Sequence, residues 1–208
     1  MKIYDITAVI GGSLPVYHKS ERPEIVQAMH IKNGDLYNFS KFAMTMHTGT
    51  HADAPLHFVE GGAACDNVDL AHFYGKAKVF RLAVSRHVNA EDLQPLDIQA
   101  GDIVLLDLGQ SPMMRVAEMN LDYLALTPCA ARYLADKQVK TVGIDYLSVD
   151  PSDTTDFAVH KILLENGVAV LEGLVLEGVP VGEYTLSALP LKFENGNGSP
   201  VRAVLVTH

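Results

Sequence analysis

Along Lys41–Met46 every second position is apolar (Phe42, Met44 and Met46), which predicts a strand with these three side chains on one face. The run from Asp102 to Leu108 is apolar almost without interruption and suits a strand covered on both faces. Further strands are predicted over 2–9, 78–84, 141–144, 168–171, 183–188 and 201–206. Thr127 and Pro128 form an N-cap and first-turn pair, so a helix follows through Lys137. A second helix is predicted from an N-cap near Asp156, through Ala158 to Glu165, ending at Asn166-Gly167. Glycine and proline breaks are spread evenly, at Gly11-Gly12, Gly61-Gly62, Pro95, Gly109, Pro151 and Gly196 to Pro200, and no repeat or long linker separates parts of the chain. The expected fold class is α/β: one domain over residues 1–208, with a large mixed, partly antiparallel β-sheet or barrel flanked by a few helices.

Composition narrows the partners. A chain with 48% hydrophobic and 20% charged residues folds, and 208 residues are enough for one sizeable core. The formal net charge of −9, with no Lys/Arg cluster, speaks against nucleic acid and against anionic membrane surfaces. No apolar run approaches the roughly 20 residues that cross a bilayer. Met1–Asp5 leads straight into a strand pattern without a signal-like apolar stretch. Only Cys65 and Cys129 are present, far apart, so no disulfide framework is expected and a reducing cytoplasm fits. Both cysteines read as buried apolar residues.

The histidines carry the chemistry. Three lie within the segment His47-Thr-Gly-Thr-His51-Ala-Asp53-Ala-Pro-Leu-His57. His47, His51 and Asp53 are suitable ligands for Zn²⁺ or Mn²⁺. Thr48-Gly49-Thr50 and Pro55 oppose a helix here, so a tight turn at Gly49 is expected to bring His47 and His51 together. In an extended segment His51 and Asp53 project to the same side. Spacing alone leaves two readings open, a metal site or a polar loop. His18, His30, His72, His87 and His208 lack ligand-like spacing and read as surface residues.

Residues 47–58, His-Thr-Gly-Thr-His-Ala-Asp-Ala-Pro-Leu-His-Phe, resemble the signature of the cyclase family of metal-dependent hydrolases. Gly143–Pro151, His160–Gly173 and Leu186–Val204 are similar to three further segments of that family, so the resemblance covers nearly the whole chain. It implies a swivelling β/β/α-like fold and a site holding one or two Zn²⁺ ions, or Mn²⁺ instead. His47, His51 and Asp53 would hold one ion, and Asp53 would bridge to a second completed by His160 and Glu172. His57 is implied as the proton-transfer residue, the alternative being that it only orients a ligand. Asp145, Ser148 and Asp150 fall in the second matching segment, as groups behind the ligands or as plain turn residues.

The resemblance further implies a homodimer or homotetramer acting on a small molecule. Its formamidase branch points to an aryl formamide such as N-formylkynurenine; an isatin-like cyclic amide, a lactone or an ester, and a non-catalytic metal-binding protein, are the alternatives. Leu14–His18 resembles a loop that approaches the site in relatives, from the same or a neighbouring subunit. In formamidases that loop often carries a tryptophan; this chain has none, so an aromatic platform is expected from Tyr17, Tyr37 or Phe39.

Overall fold

The all-buried run Ile103–Asp107 is the middle of a nine-stranded sheet, as its uninterrupted apolar pattern predicts. The structure is a computed structural model that describes residues 1–207. In chain order its elements are β1 (Ile3–Asp5), β2 (Glu24–Met29), β3 (Phe39–Ala43), β4 (His51–Asp53), β5 (Tyr74–Arg81), α1 (Ala90–Leu93), β6 (Ile103–Asp107), α2 (Pro128–Asp136), β7 (Thr141–Ile144), α3 (Ala158–Glu165), β8 (Ala169–Glu172), β9 (Gly182–Ser187), β10 (Gly198–Pro200) and β11 (Val204–Val206).

The large sheet runs β1-β11-β9-β5-β6-β7-β8-β4-β10. Strands β5 to β8 are parallel, and the strands outside them pair antiparallel. Adjacent residues of β6 alternate between two cores. Val104 and Leu106 face α2 and α3, with Leu134, Val159 and Leu163. Ile103 and Leu105 face the inside of the curled sheet, with Ala52, Leu171, Leu186 and Leu205. The fold is the expected α/β domain, a curled mixed sheet with few helices.

Local departures have physical reasons. β4 and β10 are three residues each, too short for a pattern to mark them; pairing with β8 and with each other defines them. β2 pairs with β3 in a separate two-stranded ribbon whose residues are almost all exposed, so no buried face imprints an alternation on Glu24–Met29. The strand expected to start at Lys41 instead begins at Phe39 and ends at Ala43. Thr127 caps α2 as expected, accepting the Ala130 amide. At α3 the cap position is Phe157, one residue past Asp156, in the left-handed region at φ +51°. Cys65 is buried, but Cys129 lies exposed on the first turn of α2, contrary to the expectation for it. His208 lies outside the described residues.

Candidate metal centre

The site forms where β4 meets the C-terminal end of β8. Antiparallel register sets His51 opposite Glu172 and Asp53 opposite Val170, so His51, Asp53 and Glu172 share one face, while Ala52 and Leu171 turn to the inner core. Gly49 takes φ +70° in the turn before β4, the glycine turn that the sequence predicts. Thr50 anchors that turn: its hydroxyl donates to the Gly173 carbonyl at 2.5 Å and accepts the Ala8 amide at 2.8 Å. His160 arrives from the first turn of α3, which covers this face of the sheet.

These residues converge. The Asp53 carboxylate is split between two sides. Its Oδ1 lies 2.9 Å from His47 Nδ1 and 3.5 Å from His51 Nε2, and its Oδ2 lies 3.3 Å from His160 Nε2. Glu172 spans the same two sides, with Oε2 3.3 Å from His51 Nε2 and Oε1 3.0 Å from His160 Nε2. Two sets of potential ligands result, His47–His51–Asp53 and Asp53–His160–Glu172, in each of which the donor atoms lie within 4.8 Å of one another.

Their orientation is fixed from behind. His51 Nδ1 donates to the Gly49 carbonyl at 2.9 Å, which aims Nε2 at the carboxylates and makes it the nitrogen that would bind a cation on losing its proton. His160 Nδ1 donates to Asp150 Oδ2 at 2.5 Å, with the same consequence. His47 Nε2 faces Asn197 Oδ1 at 3.2 Å on the loop before β10. Glu172 Oε1 also accepts the Val149 amide at 2.7 Å.

The residues fit a cation. His51 Nε2 and Asp53 Oδ2 are buried without a hydrogen-bond partner, an arrangement that proteins rarely leave unfilled. Asp53 and Glu172 are buried anions. Burial opposes charge on His51, but the two carboxylates outweigh it and raise its pKa to about 10. Burial likewise opposes charge on His160, and Glu172, Asp150 and Asp53 outweigh it and push its pKa well up. Burial works against Asp53 as well, yet the imidazoles of His160, His47 and His51 hold its pKa well below the usual carboxylate range. Without a metal, protons on His51 and His160 offset the buried carboxylates; a divalent cation would take over that task and release them.

His57 stands apart from both ligand sets. It ends a 3₁₀ turn begun by Pro55 and stacks on His47, with ring centroids 4.0 Å apart and planes 24° apart. Burial is the main reason that its pKa falls to about 4, so at neutral pH it is an uncharged imidazole.

A cavity of about 510 Å³ opens over the cluster, lined by His47, His51, His57, His160 and Glu172 at its polar end and by Tyr17, Phe58 and Phe157 on its wall. The chain's own Pro15–Tyr17 loop reaches it. Of the three aromatic residues expected as a platform, Tyr17 is in place; Tyr37 and Phe39 belong to the hairpin that carries β2 and β3 and do not line the cavity. Phe58 and Phe157 escaped the sequence reading, although Phe58 directly follows His57 and adjacency was a usable signal. Of the two readings open for Asp150, the group behind a ligand is the one the structure shows. The Asp150 carboxylate accepts the Val159 and His160 amides, both at 3.0 Å, as well as the His160 ring. Asp145 accepts the amides of Leu108, Gln110 and Ser111 and so fixes a neighbouring loop. A cleft of about 590 Å³ elsewhere, along Asp5–Ile10 and Pro200–Arg202, contains none of the metal-ligand candidates.

Comparison with known proteins converges on one family. Residues 4–151 match the Cyclase family model. A kynurenine formamidase from Salinibacter ruber is 42% identical over 171 residues, covering 81% of this chain and 79% of that protein. A kynurenine formamidase from Erythrobacter litoralis is 33% identical over 205 residues, covering 98% and 93%. The solved structure of a predicted metal-dependent hydrolase from Bacillus stearothermophilus superimposes with a TM-score of 0.86 at 37% identity, covering 98% of this chain and 97% of that one.

Proposed function

The chain belongs to the Cyclase family, and from that membership we propose that it is a metal-dependent hydrolase that opens the formamide bond of an N-formyl aryl amine, N-formylkynurenine being the first candidate. The observation that carries this reading is the pair of ligand sets sharing Asp53, with the uncharged His57 beside them in an aromatic-walled cavity.

His47, His51 and Asp53 would hold one divalent ion, and Asp53, His160 and Glu172 a second. A cation bound there polarises a carbonyl and acidifies water. The reaction consumes one water and yields formate and the free amine. His57 would take the proton that water loses on attacking the formyl carbon, then deliver it to the departing amine nitrogen. Zn²⁺ is the proposed metal because three imidazoles and two carboxylates match its donor preference; Mn²⁺ is the competitor that metal analysis decides.

The β2–β3 ribbon supports assembly. Ile25, Val26, Phe39 and Phe42 on it are 45–66% exposed, and a two-stranded ribbon bare on both faces is marginal in water. We place a second copy of this chain over it, a homodimer that light scattering would detect. Two unpaired cysteines agree with action in the cytoplasm.

A rate screen of N-formylkynurenine against N-butylformamide, isatin and a simple lactone tests the reading. Fastest turnover of the aryl formamide supports it. Turnover of isatin or the lactone alone replaces the substrate.

A further inference from the structure

The wall of the cavity bears on which amides the site accepts. Phe157 sits at the cap of α3 with φ +51°, where a bulky side chain is strained and glycine or asparagine is not. Its surroundings impose this conformation. Thr154 Oγ1 accepts the Phe157 amide at 3.1 Å, Asp156 accepts the Ala158 amide at 3.2 Å, and Asp150 accepts the next two amides. The strained backbone does not itself call for a phenylalanine. What the phenylalanine adds is a ring at the cavity wall, 5.4 Å from the Phe58 ring and tilted 37° to it.

The two rings differ in freedom. Phe58 is backed by the His160 ring, 4.6 Å away at 30°, and by His57 at 4.3 Å. Phe157 is 43% exposed, so much of its ring remains available to whatever enters the cavity. A flat aromatic group placed there gains ring contacts that a flexible alkyl chain cannot match.

We infer that Phe157 is a specificity-determining residue, whose ring completes with Phe58 the wall that selects an aryl over an alkyl formamide. The inference rests on the aryl formamide reading above.

The test compares kcat/KM for formanilide and N-butylformamide in the wild type, Phe157→Gly and Phe157→Tyr. Glycine tolerates the left-handed backbone, so the first variant removes the ring without adding strain. It is expected to lose about tenfold on formanilide, mostly through KM, and to change less than about twofold on N-butylformamide. Phe157→Tyr should keep the preference. Affinity for 2-aminoacetophenone, followed by its own fluorescence in a chain that has no tryptophan, should weaken in the glycine variant and persist in the tyrosine variant. Equal losses on both formamides, or undiminished affinity for the aromatic amine, would overturn the inference. A wild type that prefers N-butylformamide would instead overturn the aryl reading beneath it.

Discussion

Asp150 grips His160 twice: its Oδ2 accepts both the ring Nδ1–H at 2.5 Å and the backbone amide at 3.0 Å. One carboxylate therefore orients a candidate ligand and caps the helix that delivers it. Asp150→Ala is expected to weaken metal affinity by about 10–100-fold, the usual cost of losing such a support. Loss of the cap should lower stability by about 1 kcal/mol. Metal titration and urea unfolding read the two effects separately. Unchanged affinity would mean that the ring needs no such support.

Gly198→Ala should act through His47. A Cβ at residue 198 would lie 2.5 Å from His47 Cε1, although the backbone there is ordinary for any residue. The ring must leave its present place beside Asp53 and Asn197, so metal content and turnover should both fall, turnover by at least about tenfold. Gly12→Ala, where nothing lies within 4 Å, serves as the control. Equal behaviour of the two variants would show that His47 has room to spare.

Much of this arrangement could be read along the chain, for definable reasons. β6, β7 and α2 are recognisable because burial leaves a pattern: an apolar run, or a cap followed by helix formers. The turn at Gly49 is recognisable because few other residues fit it. β4 and β10 are not, since stretches of three residues such as His51-Ala-Asp53 and Gly198-Ser-Pro200 become strands only once their neighbours are in place. Spacing groups His47, His51 and Asp53 but cannot join them to His160, over a hundred residues on; only the resemblance to a family does that. Asp150 is obscured by Pro151 and Ser152, which make a buried carboxylate look like part of a turn.

Thr50→Val tests how the turn is held. The hydroxyl satisfies one buried carbonyl and one buried amide, on Gly173 and Ala8. Valine keeps the shape and leaves both unpaired, so stability should fall by about 2–4 kcal/mol. Urea midpoints measure this, and a loss under about 0.5 kcal/mol would mean that other groups can take over both bonds.

The buried position of His57 predicts a pH dependence. Its folded pKa of about 4 lies below the value of about 6.5 expected in an unfolded chain. The unfolded state therefore binds the proton more tightly. The contribution to stability is fully present above pH 6.5 and is lost as the pH falls toward 4. In chelator, His57→Gln should gain stability relative to the wild type between pH 7 and pH 4.5. Melting curves that stay parallel over that interval would contradict the burial argument.

His57→Ala should retain its metal and lose about 10²–10⁴-fold in turnover, the range for a general acid–base group. Metal analysis beside the rate separates this from a ligand role, in which the site would empty.

The central claim is tested most directly by formate release from N-formylkynurenine, measured on the wild type as purified, after chelation and after addition of Zn²⁺ or Mn²⁺. Activity that disappears with the metal and returns with it is the predicted result. Formate release by the metal-free chain at the original rate, or none by the metal-loaded chain, would contradict it.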